Sequence, residues 1–487
     1  MRLPKDLCVR FAQPINYLVA LLYFATTAQT GAELVLREFE LALRQVDLSH
    51  CVSTNVSGYP RIDQTKVDLS RIVRRNHKAV LLENQFLRVI LLPEMGRLYS
   101  IFSKVTGHEQ LWTNPIARPL LNQRNDLGWW MVWGGVEYTI PSGEHGTTWA
   151  LPWRSRVIEN SRIRKTIEMT VLEPKTKLEE TVKTSLLAGS AALETSIMIR
   201  NTSAETVRFS HWVNPMWAPG GRGELTANTE FIIPCERVIV PPRNFNRWML
   251  GNNVQPYAGN PLRFAENWRD IGDVLAEALS EGFYSAFSHE ANEGIVRVFN
   301  AELNPGMDIW TWGNRPPPQR QKEFSLEPNL GYVEMWGGTV RDFSDESLRP
   351  LSPGASTGWI EQMFPYRGSG GLTTATSDLA VNFTISRDPT ASIKLAICPA
   401  REMRNVEVAI IREGETLFTR RTDLSPAITC THEFAARSPG VPPELLVREG
   451  TKVILRAKAA ALTPIRWGAP FMPQAGTTGQ PIRPAAE

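Results

Sequence analysis

AVLLENQFLRVILLPEMGRLYSIFSKVTGHEQLW, running from Ala79 to Trp112, sets the fold class. Short runs of Val, Ile, Leu and Phe are broken by Asn, Gly and Pro, the pattern of strands joined by tight turns. Upstream, EFELALRQV sets Phe39, Leu41 and Leu43 against Glu38, Glu40 and Arg44, a period of two that belongs to a half-buried strand. Downstream, Arg164–Leu186, Ala192–Asn201, Val207–Val213 and Glu230–Val240 read the same way, with turn residues at the spacing of sandwiches. Helical periodicity is scarce, and Trp268–Leu279 is the best short helix candidate. The chain is expected to be all-β.

At 487 residues it is too long for one ordinary core. The Gly-, Ser- and Thr-rich segment Tyr366–Leu379 reads as a boundary, and shorter strands follow it. The expected organisation is a large β domain over 29–366, a small accessory β-sandwich over 380–467 and a disordered tail over 468–487. Ahead of these, Arg2, Lys5 and Arg10 precede the apolar run Ile15–Ala25 and the small residues Thr26, Thr27 and Ala28. That is the layout of a secretory signal peptide over 1–28, so the mature chain is expected to be exported, with no stable membrane insertion. An uncleaved anchor and a buried N-terminal helix are the other readings of the run. Export would leave Cys51, Cys235, Cys398 and Cys430, for which three pairings exist and none is preferred.

Net charge is only +3 and no Lys/Arg block stands out, so no nucleic-acid partner is expected. No Cys/His or acidic spacing suits a metal, and no cofactor is expected. Oligomeric state is not legible.

The segment Gly128–Trp153, GWWMVWGGVEYTIPSGEHGTTWALPW, points to function. Five tryptophans (Trp129, Trp130, Trp133, Trp149 and Trp153) surround Glu137, Glu144 and His145. Indole needs a large apolar seat and a partner for its N–H, so such a density broken by Gly and Pro suits the wall of a cleft. Sugars fit aromatic walls, their C–H faces lying on indole while their hydroxyls seek carboxylate, imidazole and guanidinium. Three further patterns carry polar groups beside Trp. His211 stands next to Trp212, Asn214 and Trp217; Asp308 lies by Trp310 and Trp312; Glu334 ends an apolar strand beside Trp336.

Taken together these stretches resemble the galactose-mutarotase-like superfamily, the fold of the aldose 1-epimerases. The resemblance rests on His145-Gly146 ahead of Trp153, His211 after the turn at Asn201, and Val333-Glu334 ahead of Leu351-Ser352-Pro353-Gly354. A similar pattern marks a largely uncharacterised bacterial branch, many of whose members carry tetratricopeptide repeats. The matching stretches, such as LLENQFLRVILLPEMGRLYS and YVEMWGG, lie between Ala79 and Pro365. This chain has Met95-Gly96-Arg97 where that branch has Gly-Gly-Arg, and the position of His211 is often aromatic there.

The resemblance implies a galactose-mutarotase-like β-supersandwich acting on a sugar or oligosaccharide. Glu334 would be the base that takes the anomeric proton and His211 the acid at the ring oxygen. His145, Arg97 and Asp308 would bind hydroxyls, and Trp133, Trp149, Trp217 and Trp312 would form the stacking wall. Two alternatives stay open: an exported glycoside hydrolase pairing Glu137 with Glu334, and a carbohydrate-binding protein without catalysis.

Overall fold

The structure, a computed structural model, describes residues 33–121, 127–249, 254–386, 392–435 and 441–461. The expected signal segment over 1–28, and residues 462–487 with the expected tail, lie outside the described residues.

Strands dominate. A 14-stranded sheet carries, among others, Arg97–Ser103, Val136–Thr139, Trp212–Trp217, Val333–Gly338, Gly306–Thr311 and Gly272–Ala276, hydrogen-bonded in that order. An eight-stranded sheet contains Leu178–Leu187, Leu193–Asn201, Ser356–Arg367, Glu293–Val298 and Phe283–Ser288. One continuous apolar core joins the two, with Val213, Ile309 and Met335 from the first and Val182, Ile197 and Met363 from the second. The period-two reading of EFELALRQV matches the strand Val35–Val46, in which Phe39, Leu41 and Leu43 are half-buried.

Strands at the centre of the large sheet behave differently. Every residue of Val333–Gly338 and of Trp212–Trp217 is buried. Side chains alternate across a strand, so both faces here are covered. Val333 and Met335 enter the core between the sheets, whereas Glu334 and Trp336 line a cavity on the other face. The two glycines that follow are set by close approach. A Cβ on Gly337 would overlap the guanidinium of Arg297, and one on Gly338 would overlap the indole of Trp212. Arg297 is buried between the sheets and donates from Nε to Glu361 Oε1 at 3.0 Å.

Trp268–Leu279 corrects the helix expectation: it contains the strand Gly272–Ala276, which pairs with Arg237–Ile239 on one side and Gly306–Thr311 on the other. Pairing on both edges outweighs a weak helical pattern. Pro318–Phe324 is the α-helix found among the described residues.

Beyond residue 373, five strands including Leu379–Ile385 and Ser392–Pro399 form one sheet, and four including Met403–Arg412 and Glu444–Glu449 form another. They enclose a separate core of Leu379, Phe383, Ile397, Val408, Ile410 and Leu445. The described cysteines are all free thiols. Among the described residues no helix is long and apolar enough to cross a membrane.

Candidate functional site

Strand pairing builds the site as a patch of one sheet face. Asp273 pairs with Trp310, Trp310 with Glu334, Asp308 with Trp336, and Glu137 with Asn214. Paired residues of antiparallel strands share a face, so these side chains stand in adjoining rows. A cavity of about 280 Å³ opens above the rows, walled by Trp130, Trp310, Trp312, Trp336 and Tyr332 and carrying His145, Asp308 and Glu334. Glu144, Asp273, Arg243 and Glu323 stand around its polar rim.

His145 comes from the turn Ser142–Gly146 rather than from a strand. Its backbone is left-handed, φ 61°, an uncommon conformation for a residue with a side chain, and Gly143 and Gly146 flank it with positive φ. This holds the imidazole on the face of Trp130, ring centres 3.9 Å apart and 19° from parallel, and against the edge of Trp336 at 5.1 Å. Its Nδ1 bonds Glu137 Oε2 at 2.8 Å. Trp130 Nε1 donates to the other oxygen of Glu137 at 2.7 Å, and Arg97 donates to that oxygen as well.

Charge then sorts the acids by environment. Burial alone would raise the Glu137 carboxyl, but the Arg97 guanidinium, reinforced by His145 and Trp130, holds it down at about 2. Among the described residues no arginine or lysine pairs with Glu334. Burial, the largest cause, pushes it up to about 7; the charge on His145 opposes this and that on Glu137 adds to it, while Trp336 Nε1 donates to Oε2 at 2.8 Å. Burial also lowers the basicity of His145, yet the hydrogen bond and charge of Glu137 outweigh it and lift the ring above the ordinary imidazole value. Asp273 is raised by burial to about 6 although Arg243 Nε lies 2.9 Å from it. Asp308 is raised well above the usual carboxylate range, by burial and then by Asp273.

The structure therefore brings Glu334, His145, Asp308 and Trp312 to one cavity. It places Glu137 and Arg97 behind His145 as a buried ion pair. Glu137 is thus a fixed counter-ion for His145, not a carboxyl free to exchange protons with a ligand. Arg97 has its Nη1 on the Gly134 carbonyl at 2.5 Å and its Nη2 on Glu137, so it positions Glu137 and does not reach a hydroxyl in the cavity.

His211 is corrected outright. It is fully buried, its Nε2 lies 2.8 Å from Glu180 Oε1, and its ring meets the edge of Trp359 at 5.0 Å. Glu180 and Trp359 belong to the eight-stranded sheet, so His211 points between the sheets, away from Glu334. Three tryptophans are also elsewhere. Trp133 packs on His77 at 5.3 Å, Trp149 on Trp129 at 5.0 Å and Trp217 on Tyr284 at 5.5 Å. Trp130, Trp310 and Trp336 form the wall instead.

His211→Phe is accordingly expected to act on stability. It would leave the Glu180 carboxyl buried without its partner, at a cost of about 3 kcal/mol. Urea denaturation reads this directly, and unchanged stability would contradict the placement.

A model of the family described as domain of unknown function DUF5107 matches residues 55–366, well over half of the chain. The protein belongs to the DUF5107 family. A second model, described as the second domain of YphG-like protein, matches residues 374–457. Among solved structures, a TPR-domain containing protein from Parabacteroides distasonis superposes with a TM-score of 0.59 at 15% identity, over 71% of this chain and 58% of the other. This DUF5107 chain thus spans a little over half the length of that protein, with which it shares the fold. Similarity at lower TM-score extends to a galactose mutarotase related enzyme from Lactobacillus acidophilus (0.41, 16% identity, 59% and 97% covered). It extends also to a galactose mutarotase-like protein from Clostridium acetobutylicum (0.40, 12% identity, 60% and 96% covered).

Asp273 and Arg243 were not reachable by sequence reasoning. Asp273 lies in the segment whose pattern suggested a helix, and Arg243 lies in the irregular PPRNFN stretch. Arg243 joins the site only because it bridges Glu144 at 2.5 Å and Asp273 at 2.9 Å, partners far from it in sequence.

Proposed function

We propose that this protein is carbohydrate-active and works as an aldose 1-epimerase-like isomerase, with Glu334 as base and His145 as acid. The observation that carries this reading is the pair itself. A carboxyl raised to about 7 and an imidazole raised above its usual value share one small aromatic-walled cavity. A carboxyl and an imidazole that are both raised can exchange protons with a substrate in both directions near neutral pH. At about 280 Å³ the cavity lies at the low end of small-molecule pockets, which favours one sugar ring over a polymer chain.

In this mechanism the ring lies on indole. Ionised Glu334 takes the proton from the anomeric hydroxyl as the imidazolium of His145 gives one to the ring oxygen, and the bond between the anomeric carbon and that oxygen breaks. The aldehyde carbon rotates, the ring oxygen attacks its other face, and both protons return to their donors. Glu137, held ionised by Arg97, stabilises the imidazolium throughout.

Sign follows from the direction of the shift. The base must be ionised, so sugar-anomer exchange is expected to rise with pH through about 7, and to fall at higher pH once His145, itself raised, has lost its proton. NMR exchange rates across pH test this. A rate that is flat from mildly acidic to neutral pH would contradict the role of Glu334.

One observation favours a hydrolase as the second reading. Asp308 lies diagonally across from Glu334 on the same face of the neighbouring strand, and burial and Asp273 favour its protonated form. Such a pair could serve as acid and base in glycoside cleavage. New reducing ends from oligosaccharides would distinguish it.

A further inference from the structure

The polar lining of the cavity is strongly biased toward carboxyl groups. Glu144, Asp273, Asp308 and Glu334 all line it. Its arginine, Arg243, already bridges Glu144 and Asp273, and the Nδ1 of its imidazole is committed to Glu137. Asp308 is 98% buried, and its Oδ1 has no hydrogen-bond partner among the described residues. A buried carboxyl oxygen without a donor is costly, and a ligand that brings donors and a positive charge there satisfies it and draws Asp308 from its protonated to its ionised form. From these residues we infer that the cavity is built for an amino sugar, with the ligand's ammonium seated at Asp308 on the side facing Glu334.

This rests on the sugar reading above and names its substrate class. An ammonium supplies three donors and one positive charge to a wall in which, among the described residues, carboxyl groups outnumber cationic side chains. The aromatic walls add to the attraction, because indole and phenol faces favour a nearby cation. A uronic acid or sugar phosphate brings its anion among these carboxyl groups, and Arg243 would have to leave two carboxylates to receive it. A neutral hexose finds acceptors for its hydroxyls but brings no charge to favour ionised Asp308. Acetylation of the amine removes the charge and two donors together.

The test is binding to the full chain at neutral pH, followed by NMR or calorimetry. Its ligands are glucose, galactose, their 2-amino-2-deoxy forms, the N-acetylated forms and glucuronate. An amino sugar is expected to bind about tenfold more tightly than its neutral parent, a difference of about 1.4 kcal/mol. N-acetylation should remove that advantage, and glucuronate should not bind. Asp308→Asn, shown folded by circular dichroism, should bring the amino sugar and its neutral parent to similar affinity. Equal affinity for neutral and amino sugars in the native protein would overturn the inference while leaving the sugar reading standing. So would an amino-sugar preference that survives Asp308→Asn. No binding by any sugar would overturn both.

Discussion

Glu334→Gln is expected to lower catalysed anomer exchange by about 10²–10⁴-fold, the usual contribution of a positioned proton-transfer group. The amide is the same size as the carboxyl and can still accept from Trp336 Nε1 in place of Oε2. The fold should therefore survive, and removing a buried acid should cost little stability. Exchange rates measured beside a denaturation curve separate the two effects. Full activity in a folded Glu334→Gln protein would remove this residue from the chemistry.

The second large effect is structural and lies behind the cavity. Arg97→Met is expected to destabilise the protein by about 3–5 kcal/mol, because it strips a fully buried carboxylate of its main counter-charge. Glu137 would keep Trp130 and His145 as partners, yet both side chains of the Arg97–Glu137 pair are only 1–2% exposed, so water cannot replace the guanidinium. The sign with pH is also fixed. Glu137 sits at about 2, below its ordinary value, so its contribution is present at neutral pH and is lost only as pH falls through the acid range. Native protein should keep this contribution under mildly acidic conditions where Arg97→Met has already lost it. Urea midpoints at neutral and mildly acidic pH measure this, and equal midpoints for the two proteins would contradict it.

The sequence exposed the β character and half of the site for physical reasons. Alternation is visible where one face of a strand meets water, as in Val35–Val46, and the local context of Glu334, His145 and Asp308 marked them as polar groups in apolar company. It disappears where both faces are covered. WVNPMW and VEMWGG are buried throughout, so nothing in their composition says which side chains face the cavity and which the second sheet. The register decides. Met216 pairs with Glu334, which puts Met216, Asn214 and Trp212 on the cavity side and leaves His211 on the other. Pairing register is a property of two distant segments, so His211 and Glu334 looked like partners when each was read alone. Density misled in the same way with tryptophan: Trp133, Trp149 and Trp217 fill the interior, whereas Trp310 and Trp336 reach the cavity through their place in the strand ladder.

Comparison of His145→Gln with His211→Phe tests the central claim most directly, with anomer exchange followed by NMR on a panel of free aldoses. The account predicts acceleration by the native protein, exchange near the buffer rate for His145→Gln, and exchange near the native rate per folded molecule for His211→Phe. The reverse order, with activity lost at His211 and kept at His145, would contradict it.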